Sequence, residues 1–248
     1  MTNIAERLGV QGYCYRGFKK TADLIAKVKE TGLSRLEVWN GHVDFGDEAA
    51  GDEFLAKCKA GGVEVAAIGV MSFTNDAASE RKCLRFARKA GAPYVSCDFA
   101  IDKMPDALRT AERLADELDV KLMIHNHGGG HWLGSSQALA WLLAQASPRV
   151  GLCLDTAWAM HSHEDPVAMA ERFADRLYGL HIKDFTFDRA GNHKDVVVGT
   201  GNLDLERLDR ALKKVGFAGC AILEYEGDVD NPVPALAKCV ANIRKHMR

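Results

Sequence analysis

Four apolar runs in the second half of the chain stop at a polar residue in the same way. KLMIHNHGGG, VGLCLDTAW, YGLHIKDF and AILEYEGD place His125, Asp155, His181 and Glu224 at or beside the last position of each run. Two imidazoles and two carboxylates make a mixed nitrogen and oxygen donor set, which suits Mn, Co, Fe or Zn better than the all-oxygen shells preferred by Mg or Ca. One such residue alone is as simply a polar cap on a strand, whereas four on successive runs point to a single divalent-cation site. Side chains two apart on a strand share a face, so His127 points with His125 and Lys183 with His181, while Asn126 and Asp184 point away. His127 is then a ligand, a base or a supporting group, against a histidine that only orders the GGGHWL loop. Lys183 is placed to polarise a substrate oxygen or carry a proton. Asp184, pointing outward, reads as a partner in a structural salt bridge.

The run LEVWNGHVDF adds Glu37, Trp39 and His42. Glu37 and Trp39 share a face, and the indole is either an aromatic plate for a sugar ring or part of the core. His42 lies in the following loop, within reach of a substrate or simply solvated. The segment FTFDRAGNHKDVVVGTGNLDL exceeds the common length of a βα loop and reads as a lid or a substrate wall. Its Gly199 and Gly201 offer backbone amides to a phosphate, although two glycines alone do not establish such a site.

Short β-branched runs alternate with segments of helical period along the whole chain. The strand candidates are Val10–Tyr15, Arg35–Trp39, Val63–Gly69, Tyr94–Cys97, Lys121–His125, Val150–Leu154, Tyr178–Ile182 and Ala221–Glu224. Helices are predicted near 21–31, 50–60, 76–90, 105–118, 135–146, 164–175, 204–214 and 233–246. Thr21, Ser135 and Asp165 before Pro166 are start signals, and Gly32, Gly91 and Gly216 are left-handed caps. Eight alternating units imply parallel strands with right-handed crossovers and, at this length, a closed (β/α)8 TIM barrel of one α/β domain over residues 1–248. A doubly wound open sheet is the rival, weakened because YCYRGFKKT after the first strand lacks a glycine-rich phosphate fingerprint.

With 32 basic and 34 acidic residues the charges nearly cancel, which argues against nucleic acid as a partner. Seven scattered cysteines without a CxxC pair read as buried reduced thiols. Glu6 and Arg7 interrupt any signal-like run, and no apolar stretch is long enough to span a membrane, so the expected compartment is the cytoplasm. The oligomeric state is open, a homo-oligomer included.

The sequence resembles the sugar phosphate isomerase/epimerase family, the barrels related to xylose isomerase that include ketose 3-epimerases, hydroxypyruvate isomerases and inosose dehydratases. The resemblance runs over nearly the whole chain and is most specific across IHNHGGG, LDTAW, GLHIKDF, VGTGNLDL and LEYEGD. It implies that His125, Asp155, His181 and Glu224 hold the metal, with manganese expected and cobalt, zinc, iron or magnesium as alternatives. Two departures stand out: His125 replaces a glutamate, and Trp158 stands where the family's LDT-x-H pattern has a histidine. The glutamate on strand 5 is one of the family epimerases' base and acid pair, so its loss leaves His125, His127 or Lys183 to supply the second group. The implied activity is isomerisation or epimerisation of a ketose or keto-sugar through an enediolate, with Glu224 or His127 as base and Lys183 assisting. Glu37, Trp39, His42 and Trp158 are the substrate-binding candidates. The alternative is a lyase that expels a β-substituent from the same enolate. An apurinic endonuclease and a metal-free binding barrel are the remaining readings, the first disfavoured by Trp158 and the charge balance.

Overall fold

The computed structural model describes residues 3–247. Eight parallel strands close on themselves: β1 Gly9–Gln11, β2 Arg35–Val38, β3 Glu64–Phe73, β4 Tyr94–Phe99, β5 Lys121–His125, β6 Val150–Asp155, β7 Leu177–Ile182 and β10 Cys220–Leu223. Closure is made where β1 pairs with β10, Gly9 opposite Ile222 and Val10 opposite Leu223, which excludes the open doubly wound sheet. The strands are apolar on both faces, as VGLCLD of β6 shows with every residue buried, because one face fills the barrel and the other meets helices. Ala66, Ala67, Met123, Cys153, Cys220 and Ile222 form a small interior cluster, and all seven cysteines are buried and unbridged.

The outer helices are α1 Thr21–Glu30, α2 Glu48–Ala60, α3 Ala77–Ala90, α4 Asp106–Glu117, α5 Ser136–Gln145, α7 Pro166–Arg172, α8 Leu205–Lys214 and α9 Val233–His246. In α8, Leu205, Leu208, Ala211 and Leu212 are buried at helical spacing while Lys214 reaches solvent. Ser135 caps α5 by accepting the Ala138 amide, and Asp165 caps α7 by accepting that of Val167 ahead of Pro166. Gly32, Gly91 and Gly216 have φ of 82°, 71° and 65°, as left-handed caps require. Thr21 does not cap α1: Lys20 holds that position without a side-chain bond, and Thr21 is the first helical residue.

Several boundaries differ from the sequence expectation. β1 ends at Gln11 because the Gln11 side chain accepts the Tyr13 amide and starts a 3-10 turn over Gly12–Tyr15. β3 runs on to Phe73 across a register shift against β4. The sequence expectation also lacked, at the C-terminal mouth, the short helix α6 Thr156–His161 and an antiparallel hairpin of β8 Asp184–Phe187 with β9 His193–Val196. No helix among the described residues is long and apolar enough to cross a membrane.

Candidate metal centre

His125, Asp155, His181 and Glu224 converge at the C-terminal mouth, each offering one donor atom, all within 4.8 Å of one another. Strand register explains the meeting. β6 pairs with β7 so that Asp155 lies opposite His181, and β5 pairs with β6 so that His125 lies opposite Cys153. Asn126, which points away from His125, stitches β5 to β6 by accepting the Asp155 amide (2.8 Å) and donating to its carbonyl (3.0 Å). Thr156 does the same for β7, accepting the Lys183 amide at 3.0 Å and donating to its carbonyl at 2.6 Å. Glu224 lies one residue beyond β10 rather than within it.

His181 is the hub. Its Nδ1 is 3.0 Å from His125 Nε2 and 2.6 Å from Glu224 Oε2, while its Nε2 donates to Glu37 Oε2 at 2.8 Å. Glu37 is fully buried, and its other oxygen accepts from Ser96 Oγ. The carboxylate therefore lies beneath the cluster, on the far side of His181, rather than at the mouth. Burial disfavours an imidazolium here, yet Cys153, Glu37 and Glu224 together hold the His181 pKa well above its ordinary value. Burial would likewise raise Glu224, but Lys183 and His181 keep its carboxyl well below the usual range.

These residues fit a divalent cation. Asp155 Oδ1 is spent on the Trp158 amide at 2.8 Å, whereas Oδ2 is buried with no hydrogen-bond partner and lies 3.5 Å from His125 Nε2. A histidine ligand that donates its second nitrogen to a carboxylate is a common metal-site arrangement, and the Glu37–His181 pair supplies it. His181 Nδ1, held between His125 Nε2 and Glu224 Oε2, is the nitrogen from which a cation would displace a proton.

Lys183 shares the His181 side of the strand, as the period of two predicts. Its ammonium is fully buried, 3.3 Å from Glu224 Oε1 and 4.0 Å from Asp195 Oδ2, and it contacts Glu226. Burial opposes its charge, but Glu224 and Asp155 lead a group of carboxylates that raise its pKa. Trp158 forms a half-buried wall over this group, with Lys183 Nζ 5.2 Å from its ring centre and Phe185 and His193 packed on its edges. His127 rests against His125, with ring centres 4.5 Å apart, and burial followed by the charges of His125 and His131 pushes its pKa down to about 3.

Other residues take different places. Trp39 is half-buried, edge-on to Tyr13 and His42 and covered by Lys19. His42 is not solvated: its ring is buried and Nε2 meets the Gly12 carbonyl at 3.0 Å. Among the described residues Asp184 makes no salt bridge. It is buried, and its two oxygens accept the amides of Gly199 (3.0 Å), Gly201 (2.8 Å) and Leu203 (2.9 Å). The Gly199 and Gly201 amides, which the sequence offered to a phosphate only on weak grounds, are thus occupied by a carboxylate of the same chain. Sequence reasoning missed Ser96, Asn126, Thr156, Asp195 and Glu226. It also missed Asp98, although Asp98 closes the β4 run YVSCDF by the same pattern as the others.

Comparison with known proteins agrees with this architecture. The rhizopine catabolism protein MocC of Rhizobium meliloti is 31% identical over 138 residues, which are 50% of this chain and 42% of that protein. An inosose dehydratase of Geobacillus kaustophilus is 32% identical over 142 residues, 51% of this chain and 46% of its own. The chain thus spans less than half the length of these curated relatives. The solved structure of the 3-keto-D-glucoside 4-epimerase YcjR from E. coli superposes with a TM-score of 0.76 at 15% identity, over 96% of this chain and 99% of its own, a likeness of fold alone. The family described as xylose isomerase-like TIM barrel matches residues 25–246. Matched over most of its length and closed as an eight-stranded barrel, the chain belongs to the xylose isomerase-like TIM barrel family.

Proposed function

We propose that His125, Asp155, His181 and Glu224 hold one divalent cation, manganese being the expected ion. The chain would use it at the carbon beside a keto group of a sugar or polyhydroxylated ring, with loss of water from the neighbouring carbon. One observation carries this reading: donor atoms from four separate strands and strand ends lie within 4.8 Å of one another, and Asp155 Oδ2 among them is buried without a partner. The cation, when bound, supplies a Lewis acid for the keto oxygen. The chain's own residues move the protons. Glu224 accepts the proton from the carbon beside the carbonyl, and that C–H electron pair becomes the new double bond as the β-hydroxyl departs. Lys183, held between Glu224 and Glu226, donates to the departing oxygen, which leaves as water. Trp158 walls this side of the site.

Elimination is favoured because the position facing Glu224 carries His125, an imidazole 3.0 Å from His181 in place of a second carboxylate base, and elimination needs only one base and one acid. The inosose dehydratases among the relatives support it by name. Isomerisation or epimerisation is the second reading. It is favoured by His127, whose Nδ1 is buried and unpartnered on the β5 side, where a second proton-transfer group would stand.

The test is incubation of Mn-loaded protein with inososes, ketoses and 3-keto-glycosides in deuterated water. Deuterium entering beside the carbonyl together with a dehydrated product is the expected result, and Glu224→Gln should lower kcat by roughly 10²–10⁴-fold. Deuterium in recovered substrate or an isomer, without dehydration, would select the second reading. No exchange with any of the three classes would overturn both.

A further inference from the structure

β4 ends in Asp98 and Phe99 next to a second gathering of donors. His127 follows β5, and the chain then turns back through Gly129 and Gly130, whose φ of 68° and 80° suit a reversal that side chains would hinder. The returning loop is tied to the end of β4 by the Trp132 indole, which donates to the Phe99 carbonyl at 3.0 Å and so keeps His131 beside Asp98. Asp98, His127 and His131 each offer one donor atom within 4.8 Å of the other two. Two of these groups are unfinished as they stand: Asp98 Oδ1 and His127 Nδ1 are buried with no hydrogen-bond partner. Lone pairs buried in this way are costly, and a cation satisfies both at once.

We infer that Asp98, His127 and His131 form a second divalent-cation site, adjoining the four-residue cluster, that takes an ion of the zinc type. Two imidazoles and one carboxylate with open positions are a zinc donor set. Bonds of about 2.0–2.2 Å span donor pairs up to about 4.4 Å, and the three donors lie within 4.8 Å of one another, so at most a few tenths of an ångström of movement completes the set. His131 lies in a loop and can supply that movement. It now receives the Leu133 amide on Nδ1 at 3.2 Å. Ligation through Nε2 moves the ring proton to Nδ1 and displaces that amide, which gives the site its own signature. The two clusters adjoin through His125 and His127, with ring centres 4.5 Å apart. A His127 bound to this ion is held in place and takes no part in proton transfer. The inference stands independently of the proposed reaction.

Chelator-stripped protein is titrated with Zn²⁺ alone, and bound metal is counted by mass spectrometry and calorimetry. The wild type should bind two ions, and Asp98→Asn, His131→Gln and His181→Gln one each, with circular dichroism and melting confirming that every variant folds. In ¹⁵N-labelled wild type the Leu133 amide should shift on zinc addition, and in Asp98→Asn it should not. Unchanged stoichiometry and affinity in both Asp98→Asn and His131→Gln would overturn the second site. A single ion lost only in His181→Gln also overturns it while leaving the proposed function intact. A single ion lost only in Asp98→Asn and His131→Gln keeps this site and removes the cation on which the proposed function relies.

Discussion

Glu37 illustrates how a residue chosen for one task performs another. Its carboxylate accepts the Nε2 proton of His181 at 2.8 Å and so presents Nδ1 to the donor cluster. Glu37→Gln retains size and burial but loses the charge that fixes this orientation. It should weaken metal affinity by about 10–100-fold, measured by calorimetry, and an unchanged affinity would show that His181 needs no such support. Protons and metal also compete at His181. Its pKa is raised in the metal-free protein, so below that value Nδ1 carries a proton that the cation must displace. Affinity should therefore fall as pH falls, by about tenfold per unit while one proton is released. Titrations in buffers of different ionisation enthalpy would detect that proton, and a flat profile from pH 8 to pH 6 would count against Nδ1 as a ligand.

Among the elements, the β8–β9 hairpin and the turn after it are held from inside by Asp184. The side chain supplies both acceptors for the amides of Gly199, Gly201 and Leu203. Asp184→Ala leaves those amides without a partner and should cost about 3–5 kcal/mol. Hydrogen exchange should rise at residues 199–203, and Asp184→Asn should fall between the two because it keeps one acceptor. A loss below about 1 kcal/mol by denaturant unfolding would mean that the loop is fixed by other contacts. The hairpin also carries Asp195, which burial, against the pull of Lys183, raises to about 7. Through this hairpin the loop reaches the buried Lys183, 4.0 Å from Asp195 Oδ2.

For the whole molecule, a cation that joins donors from β5, β6, β7 and the end of β10 is a crosslink between strands far apart in sequence. Binding to the folded state alone adds about 2.7 kcal/mol at a metal concentration of 100 times Kd. For a chain of this size that should raise Tm by about 5–10 °C, with the gain reversed by chelator. His181→Gln should abolish most of the shift in a scanning-calorimetry comparison. A wild-type Tm indifferent to metal would dissolve the crosslink. The barrel interior beneath the site is closely packed: a Cβ on Gly179 would meet Met123 Sδ at 2.5 Å, and the thioether would have to shift.

The alternation of strand and helix, and the polar residue ending each of the last four apolar runs, are written in local order. Legible for that reason were the barrel, the gathering of His125, Asp155, His181 and Glu224, the shared side of His181 and Lys183, and the caps at Ser135 and Asp165. Period two assigns a side chain to a face. It does not say how deep along the barrel that side chain sits or which distant group it meets. Glu37 and His181 are 144 residues apart, and only closure of the sheet brings them to 2.8 Å. Asp184 was assigned to the outside by the same alternation, yet the chain after it folds back and buries it under its own amides. Asp98 carried the same terminal signal as the cluster residues. Its partners, however, are a histidine after the next strand and another beyond a glycine turn, and their meeting depends on a loop path that no local pattern encodes.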